Sequence, residues 1–248
     1  MKIFILTDTI VGYEIIKYLN KKKEDIVGIG LHSKKNQKYS NETLKIVKTK
    51  NIFILGKKIS DKQSNLIKKL KPDVILVIFW RFLLDEKFQK ISKYGCINFH
   101  IGLLPYNRGV NPNMWPIIED TPAGSTIHKI DNKIDSGNII CQKSTKFDIF
   151  DTGETLYDNL VKDIIILFKK NWTKMKNNKF TGKKQNLKKG SIHYRNQFKS
   201  ISKIDLKKQY LPLELFNILR AKMFKEHAPA YYTQNQKKKF VTIKFKKY

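Results

Sequence analysis

The run Val74-Ile-Leu-Val-Ile-Phe79, introduced by Pro72-Asp73, limits the fold more than any other stretch of the chain. Its branched side chains are stiff and favour extended backbone. A strand that is apolar at every position must be covered on both faces, which is the situation of a parallel strand inside an α/β sheet. Residues 2–6, Ile26-Val-Gly-Ile-Gly-Leu31 and Ile52-Phe-Ile-Leu55 read as further buried strands. Between them, Ile10 to Leu19 carries apolar residues at helical spacing. A polar loop over Ser33–Asn41 leads to a short helix near Glu42–Lys48, and Asp61 is placed to cap a helix over Gln63–Leu70. This alternation predicts an α/β fold with a Rossmann-like, doubly wound, mostly parallel sheet.

The first strand-to-helix turn, Thr7-Asp-Thr-Ile-Val-Gly12, holds one glycine and no Gly-x-Gly-x-x-Gly, so a dinucleotide is disfavoured. No phosphate-binding P-loop is present either. At 248 residues the chain accommodates one large domain, or one domain with an appendage. No apolar run reaches the roughly 20 residues that span a bilayer, so no membrane insertion is expected. The N-terminus passes straight from Met1-Lys2 into the first strand and does not read as a signal peptide. Two cysteines, Cys96 and Cys141, without a metal-ligand pair, predict a reduced, cytoplasmic protein without metal.

The net charge of +29 raises the question of nucleic acid. Arginine occurs only at Arg81, Arg108, Arg195 and Arg220, leaving 46 of the 50 basic residues as lysine. Phosphate and base recognition favour the planar arginine fork, and here lysine is spread along the whole chain. The charge therefore reads as a compositional bias covering solvated faces, and no nucleic-acid partner is expected.

The stretch Gly95-Cys-Ile-Asn-Phe-His-Ile-Gly-Leu-Leu-Pro-Tyr-Asn-Arg-Gly109 begins as a strand and breaks into a Gly- and Pro-punctuated loop. Asn98 and His100 stand two residues apart, so their side chains leave the same face of that strand. A short helix is expected at Met114–Glu119. Ala123–Ile130 and Asn138–Ser144 then read as the arms of a hairpin around Asp131-Asn-Lys-Ile-Asp-Ser-Gly137. Asp151-Thr-Gly-Glu154 fits a capping box opening a long helix to about Lys174. The Lys- and Gly-rich Asn177–Gly190 closes the main domain, giving domains over 1–180 and 181–248. The extension carries a helix at Leu213–Phe224 and a terminal β pair from Ala230-Tyr-Tyr-Thr and Lys239-Phe-Val-Thr-Ile-Lys-Phe. An amide donor, an imidazole and the carboxylate of Asp135 suit acyl transfer to an amine, which must shed a proton while an oxyanion develops. Their spacing does not establish that chemistry.

The segments Asn98-Phe-His100 through Pro105-Tyr-Asn-Arg-Gly109, Gly124-Ser-Thr-Ile-His128 and Ile134-Asp135-Ser-Gly137 together resemble the N10-formyltetrahydrofolate-dependent formyltransferases. The resemblance covers roughly residues 1–175 and implies the formyltransferase fold. It also implies the co-substrate N10-formyltetrahydrofolate and the catalytic residues Asn98, His100 and Asp135. His100 would assist amine deprotonation, Asn98 would donate to the oxyanion and Asp135 would orient His100. The family's folate position implicates Trp80, Arg81, Phe82, Leu83 and Leu84, with Asp131 through Ile134. Taken alone, Trp80 and Phe82 would read as core packing.

Within the family, Asn107-Arg-Gly-Val-Asn-Pro112, Ile192-His-Tyr-Arg195 and Ala228-Pro-Ala-Tyr-Tyr232 are similar to the nucleotide-sugar N-formyltransferases. That implies a dTDP-linked amino-dideoxyhexose as acceptor, dTDP-4-amino-4,6-dideoxyglucose first, in cell-surface polysaccharide (O-antigen, lipopolysaccharide) synthesis. The alternative is a methionyl-tRNA formyltransferase-like enzyme using the basic surface for tRNA. Tyr106, Arg108, Asn111, Arg195, His227 and Tyr231 are the candidate contacts to the nucleotide sugar, because thymine stacks on tyrosine and pyrophosphate needs a cation. The tail residues among them suit surface packing or a dimer contact equally well. A homodimer is expected, since a small exposed hairpin tends to need a partner.

Overall fold

The computed structural model describes residues 1–33, 37–225 and 227–246. Positions 34–36 of the expected Ser33–Asn41 loop lie outside them. The chain forms two compact units, each drawn from three segments. The first comprises residues 1–100, 126–141 and 164–185, and the second residues 101–125, 142–163 and 186–248.

The sheet begins with β1 (Lys2–Thr7), α1 (Ile10–Lys21), β2 (Asp25–His32), α2 (Ser40–Ile46), β3 (Ile52–Leu55), α3 (Asp61–Lys69) and β4 (Val74–Ile78). After α4 (Glu86–Gln89) come β5 (Cys96–His100), β6 (Arg108–Gly109), α5 (Trp115–Glu119), β7 (Gly124–Lys129) and β8 (Ile139–Ser144). The seven-stranded sheet has the order β3-β2-β1-β4-β5-β7-β8. β1 pairs in parallel with both β2 and β4, and β4 pairs in parallel with β5. β7 runs antiparallel to β5. All five residues of β4 are buried, which explains their continuous hydrophobicity.

Helix α1 buries Val11, Ile15, Ile16 and Leu19 on one face, the spacing of a 3.6-residue period. Gly12 lets it approach β1: a Cβ there would fall 1.9 Å from Thr7 Oγ1. The single glycine of this turn thus serves helix–strand packing. Two caps differ from expectation by one residue. Ser60, not Asp61, caps α3, because its hydroxyl and backbone N–H form a reciprocal capping box with Gln63. The long helix α6 (Gly153–Asn177) is preceded by a reciprocal pair between Thr152 and Thr155, so Asp151 and Glu154 are not the box. Asp151 accepts instead from the Thr155 hydroxyl at 2.8 Å. In both cases a hydroxyl stands one position from the acid and reaches the N–H groups better.

The later part of α6 packs on β5. Phe99 meets Phe168 at 5.4 Å between ring centres, and Phe168 meets Trp172 at 5.1 Å. Trp172 Nε1 donates to Glu24 Oε1 at 2.7 Å, and Lys176 pairs with the same oxygen at 2.6 Å. Burial would raise the Glu24 carboxyl, but the hydrogen bonds from Lys176 and Trp172 outweigh it and hold the group below its usual range. With Phe99 committed to the helical layer, alternation turns Asn98 and His100 to the opposite face.

In the second unit, β6 pairs in parallel with β9 (Ile192–His193). α7 (Arg195–Ser200) and α8 (Pro212–Ala221) follow, and β10 (Ala230–Gln234) pairs antiparallel with β11 (Lys237–Val241). Ile204, Ile218 and Ala230 form a small core there. β6, β9, α4 and α7 are too short for periodicity to reveal. Arg220 is buried, with Nη1 donating to the carbonyls of Asp148 and Asp151 at 2.7 and 2.8 Å.

Candidate active site

The side chains of Asn98, His100 and His128 in the first unit meet at the carboxylate of Asp135. Asp135 Oδ2 lies 3.6 Å from His100 Nδ1, a contact longer than a hydrogen bond. Asp135 Oδ1 accepts from Asn98 Nδ2 at 3.2 Å and stands 3.5 Å from His128 Nε2. Asn98 Nδ2 also reaches His128 Nε2 at 3.1 Å. The rings of His100 and His128 are 6.3 Å apart and nearly perpendicular.

The register explains the convergence. Asn98 lies directly opposite His128 and His100 opposite Thr126, so all four side chains share one sheet face. Partners also assign the histidine tautomer. His128 Nδ1 is 2.7 Å from the carbonyl oxygen of Lys129, which only accepts, so Nδ1 carries the proton. With Nδ1 donating, Nε2 is left to accept from Asn98. Both hydrogens of the Asn98 amide are thereby engaged, one by His128 and one by Asp135.

Asp135 reaches the cluster from a left-handed backbone position, φ 47°. A short polar residue tolerates this conformation better than a branched one. The turn is tightened by Gly137, where a Cβ would stand 1.9 Å from the Lys129 carbonyl oxygen. Asp131, in the same turn, is engaged differently: its Oδ1 accepts from Lys133 N at 3.2 Å and from the Ser136 hydroxyl. It is therefore a turn former, while Asp135 faces the histidines. His128 and Gln185 are the additional residues at the site. His128 follows from strand alternation only once β7 is known to pair with β5, and no local signal marks Gln185.

After β4 the chain turns at Phe79, φ 51°. Trp80 stacks on His32 with ring centres 3.7 Å apart, and Phe82 meets both rings edge-on. Arg81 and Leu83 are exposed, Leu83 at 82%. Leu84 packs against the core cluster of Phe4, Leu6 and Val77. Ile134 is half-buried and Asp131 exposed.

All six expected contacts to the nucleotide sugar belong to the second unit. Arg108 is buried, its Nε donating to the Ser191 carbonyl at 3.2 Å. Tyr106 and Asn111 are half-buried, and Asn111 has φ 53°. Arg195 is exposed at the start of α7. His227 packs on Phe198 and Phe224, and Tyr231 carries Lys238 Nζ 4.6 Å from its ring centre. Among the described residues no group of three or more His, Cys, Asp or Glu could hold a metal ion. None of their helices is long and apolar enough to cross a membrane. Both cysteines are free, and burial pushes each thiol up to about 12.

The family model described as formyl transferase matches residues 1–165, and that of the N-formyltransferase dimerization C-terminal domain matches residues 197–247. A methionyl-tRNA formyltransferase of Borreliella afzelii (strain PKo) is 34% identical over 178 residues, 66% of this chain and 56% of its own. The chain spans about half the length, or less, of the curated relatives it matches. Among solved structures, a 4-N formyltransferase from Francisella tularensis superposes with a TM-score of 0.81 at 28% identity, covering 100% of this chain and 98% of the other. The formyltransferase PseJ from Anoxybacillus kamchatkensis superposes with a TM-score of 0.60 at 26% identity, covering 81% and 89%. That structure is a complex with UDP-4,6-dideoxy-4-formamido-L-AltNAc and tetrahydrofolate. The seven-stranded sheet, the convergence on Asp135 and a family match over most of the chain lead to one conclusion: this protein belongs to the formyltransferase family.

Proposed function

We propose that the protein transfers the formyl group of N10-formyltetrahydrofolate to the amine of a nucleotide-linked amino sugar. The observation that carries this reading is the meeting of Asn98, His100 and His128 at the Asp135 carboxylate. In the reaction the acceptor nitrogen attacks the formyl carbon, the carbonyl becomes a tetrahedral oxyanion, and the bond from carbon to N10 breaks. The acceptor loses a proton and N10 gains one. His100, steadied by Asp135, takes the proton and returns it to the leaving nitrogen. As imidazolium it stabilises the oxyanion together with Asn98. Since both Asn98 hydrogens are engaged in the free protein, donation to the oxyanion requires release of one of them. The bond to the His128 ring is the one to give up, because the carboxylate is the stronger acceptor.

The folate is placed against Arg81 and Leu83, with Trp80 and Phe82 backing the loop and Asp131 to Ile134 facing it. The acceptor is assigned to Tyr106, Arg108, Asn111, Arg195, His227 and Tyr231, with residues 181–248 as the extension that adds nucleotide-sugar or dimer contacts. Three observations support a sugar over a tRNA. The Francisella tularensis relative is a 4-N formyltransferase matched over nearly its full length. The PseJ complex holds a 4-formamido nucleotide sugar and tetrahydrofolate. The C-terminal segment matches the N-formyltransferase dimerization domain, which also supports a homodimer. We assign the substrate as dTDP-4-amino-4,6-dideoxyglucose and the product to O-antigen or related cell-surface polysaccharide, made in the cytoplasm.

The test is incubation with N10-formyltetrahydrofolate and a panel of dTDP- and UDP-linked 3-amino and 4-amino sugars, together with methionyl-tRNA, scored by product mass. A gain of one formyl group on the dTDP-linked 4-amino sugar is expected. Formylation of methionyl-tRNA alone would overturn the reading.

A further inference from the structure

The Asp135 turn is held by a residue outside the hairpin. Gln185, 50 residues further along the chain, donates from Nε2 to the Asp135 carbonyl at 2.9 Å and to the Gly137 carbonyl at 2.7 Å. Carbonyls only accept, so the orientation of the amide is fixed: its two hydrogens span the carbonyls on either side of Ser136. Gln185 is 7% exposed, and its Oε1 is buried without a hydrogen-bond partner among the described residues. The amide tolerates an unpaired acceptor to keep both donors on the turn. The backbone of 181–185 is itself anchored, through reciprocal 2.8 Å hydrogen bonds between Ile139 and Lys183. Gly182 allows this approach, since a Cβ there would lie 2.7 Å from the Ile139 carbonyl oxygen.

We propose that Gln185 is a positioning residue that holds the left-handed Asp135 backbone so that the carboxylate faces His100 and His128. The inference rests on the formyl-transfer reading for its kinetic consequence, though not for its geometry. A carboxylate whose oxygens stand three bonds from Cα swings by about an ångström for a modest change at φ, and a displacement of that size costs roughly 10²-fold in rate. The hydrogen bonds of Gln185 Nε2 go to backbone carbonyls of the turn, so its loss should appear in kcat more than in substrate affinity.

The experiment uses the full chain and the variant Gln185→Met, which keeps length and volume and removes the donors. Because it also removes the orphaned Oε1, the fold is expected to survive. The expected result is a fall in kcat of about 10²-fold with KM for both substrates within roughly threefold. In an Asp135→Asn background the same substitution should change kcat by less than about twofold, since a residue acting through another loses its effect when that other is gone. Equal losses in both backgrounds would overturn the proposal.

A second readout needs no activity. In NMR titrations of the free protein, the His100 ring resonances should reach their midpoint at lower pH in Gln185→Met than in the parent, because the facing carboxylate that favours the charged ring has turned away. An unchanged midpoint would sink the proposal even if turnover fell. If the parent transfers no formyl group to any acceptor, the functional reading fails and the titration still decides the role of Gln185. Should Gln185→Met not fold, Gln185→Asn, which keeps an amide too short to span both carbonyls, is carried through the same measurements with intermediate effects expected.

Discussion

Asn98 and His128 face each other across the antiparallel pair β5–β7, with Asn98 Nδ2 3.1 Å from His128 Nε2. The contact ties the residue expected to steady an oxyanion to a histidine whose other nitrogen is committed to the Lys129 carbonyl. His128 is thereby locked as an acceptor toward Asn98. Its replacement by leucine removes that acceptor and frees the amide to rotate. About one net hydrogen bond of positioning is lost, so kcat should fall by roughly 3–10-fold. Steady-state kinetics on His128→Leu checks this, and a loss as large as that of a His100 variant would make His128 the acid–base group instead.

His100→Asn keeps a polar group at the end of β5 and removes the titrating ring. The circular dichroism spectrum and melting temperature should match the parent closely, while kcat falls by roughly 10²–10⁴, the usual worth of positioned acid–base catalysis. Turnover near that of the parent protein would remove His100 from the mechanism.

Gly137→Ala should damage both stability and activity. The added Cβ would meet the Lys129 carbonyl oxygen at 1.9 Å and its carbon at 2.8 Å, and both are backbone atoms of the facing strand. Relief requires the strand or the turn to move, at a cost of about 1–3 kcal/mol. Denaturant midpoints give the stability. The kcat measured on the folded variant shows whether the Asp135 turn moved with it.

His193 provides a pH test in the second unit. Its ring stacks on Trp115 with centres 3.9 Å apart, and burial pushes its pKa down to about 4. Glu119 Oε2 lies 3.3 Å from Nε2, but the same burial raises the Glu119 carboxyl, so the neutral imidazole donating from Nε2 describes the pair better than a full ion pair. An unfolded histidine titrates near 6.5, so between about 4 and 6.5 the unfolded chain binds more protons than the native one. The stability from a neutral His193 is complete above 6.5 and is lost as pH falls toward 4, amounting to a few kcal/mol. His193→Phe, which keeps the stack and cannot titrate, should flatten the denaturant midpoint over that window. An unchanged pH slope would mean that other groups carry it.

Much of the fold is legible from period alone. Val74–Ile78 could only be a strand covered on both faces, and the buried side of α1 follows the apolar spacing from Val11 to Leu19. The helix caps lie one residue from where the acids suggest. Hydroxyls at Ser60 and Thr152 compete with the neighbouring acids Asp61 and Asp151 for the same N–H groups, and the choice depends on backbone angles that composition does not report. Short elements such as β6 and β9 exist only because they pair with each other across some 80 residues, and neither has a pattern of its own.

The sequence by itself determined that Asn98 and His100 share a face, because side chains alternate along any strand. It also determined that a turn-rich segment with two aspartates follows β7. The resemblance singled out Asp135, but what turns it toward the histidines was a matter of tertiary structure. Asp131 turns inward on Lys133 and Ser136, whereas Asp135 sits at φ 47°, beneath the two hydrogen bonds of Gln185, and points back to β5. The physical reason is one of range. A two-residue period acts within a strand, while the register that sets Asn98 against His128 and the amide that holds Asp135 join residues 30 and 50 positions apart.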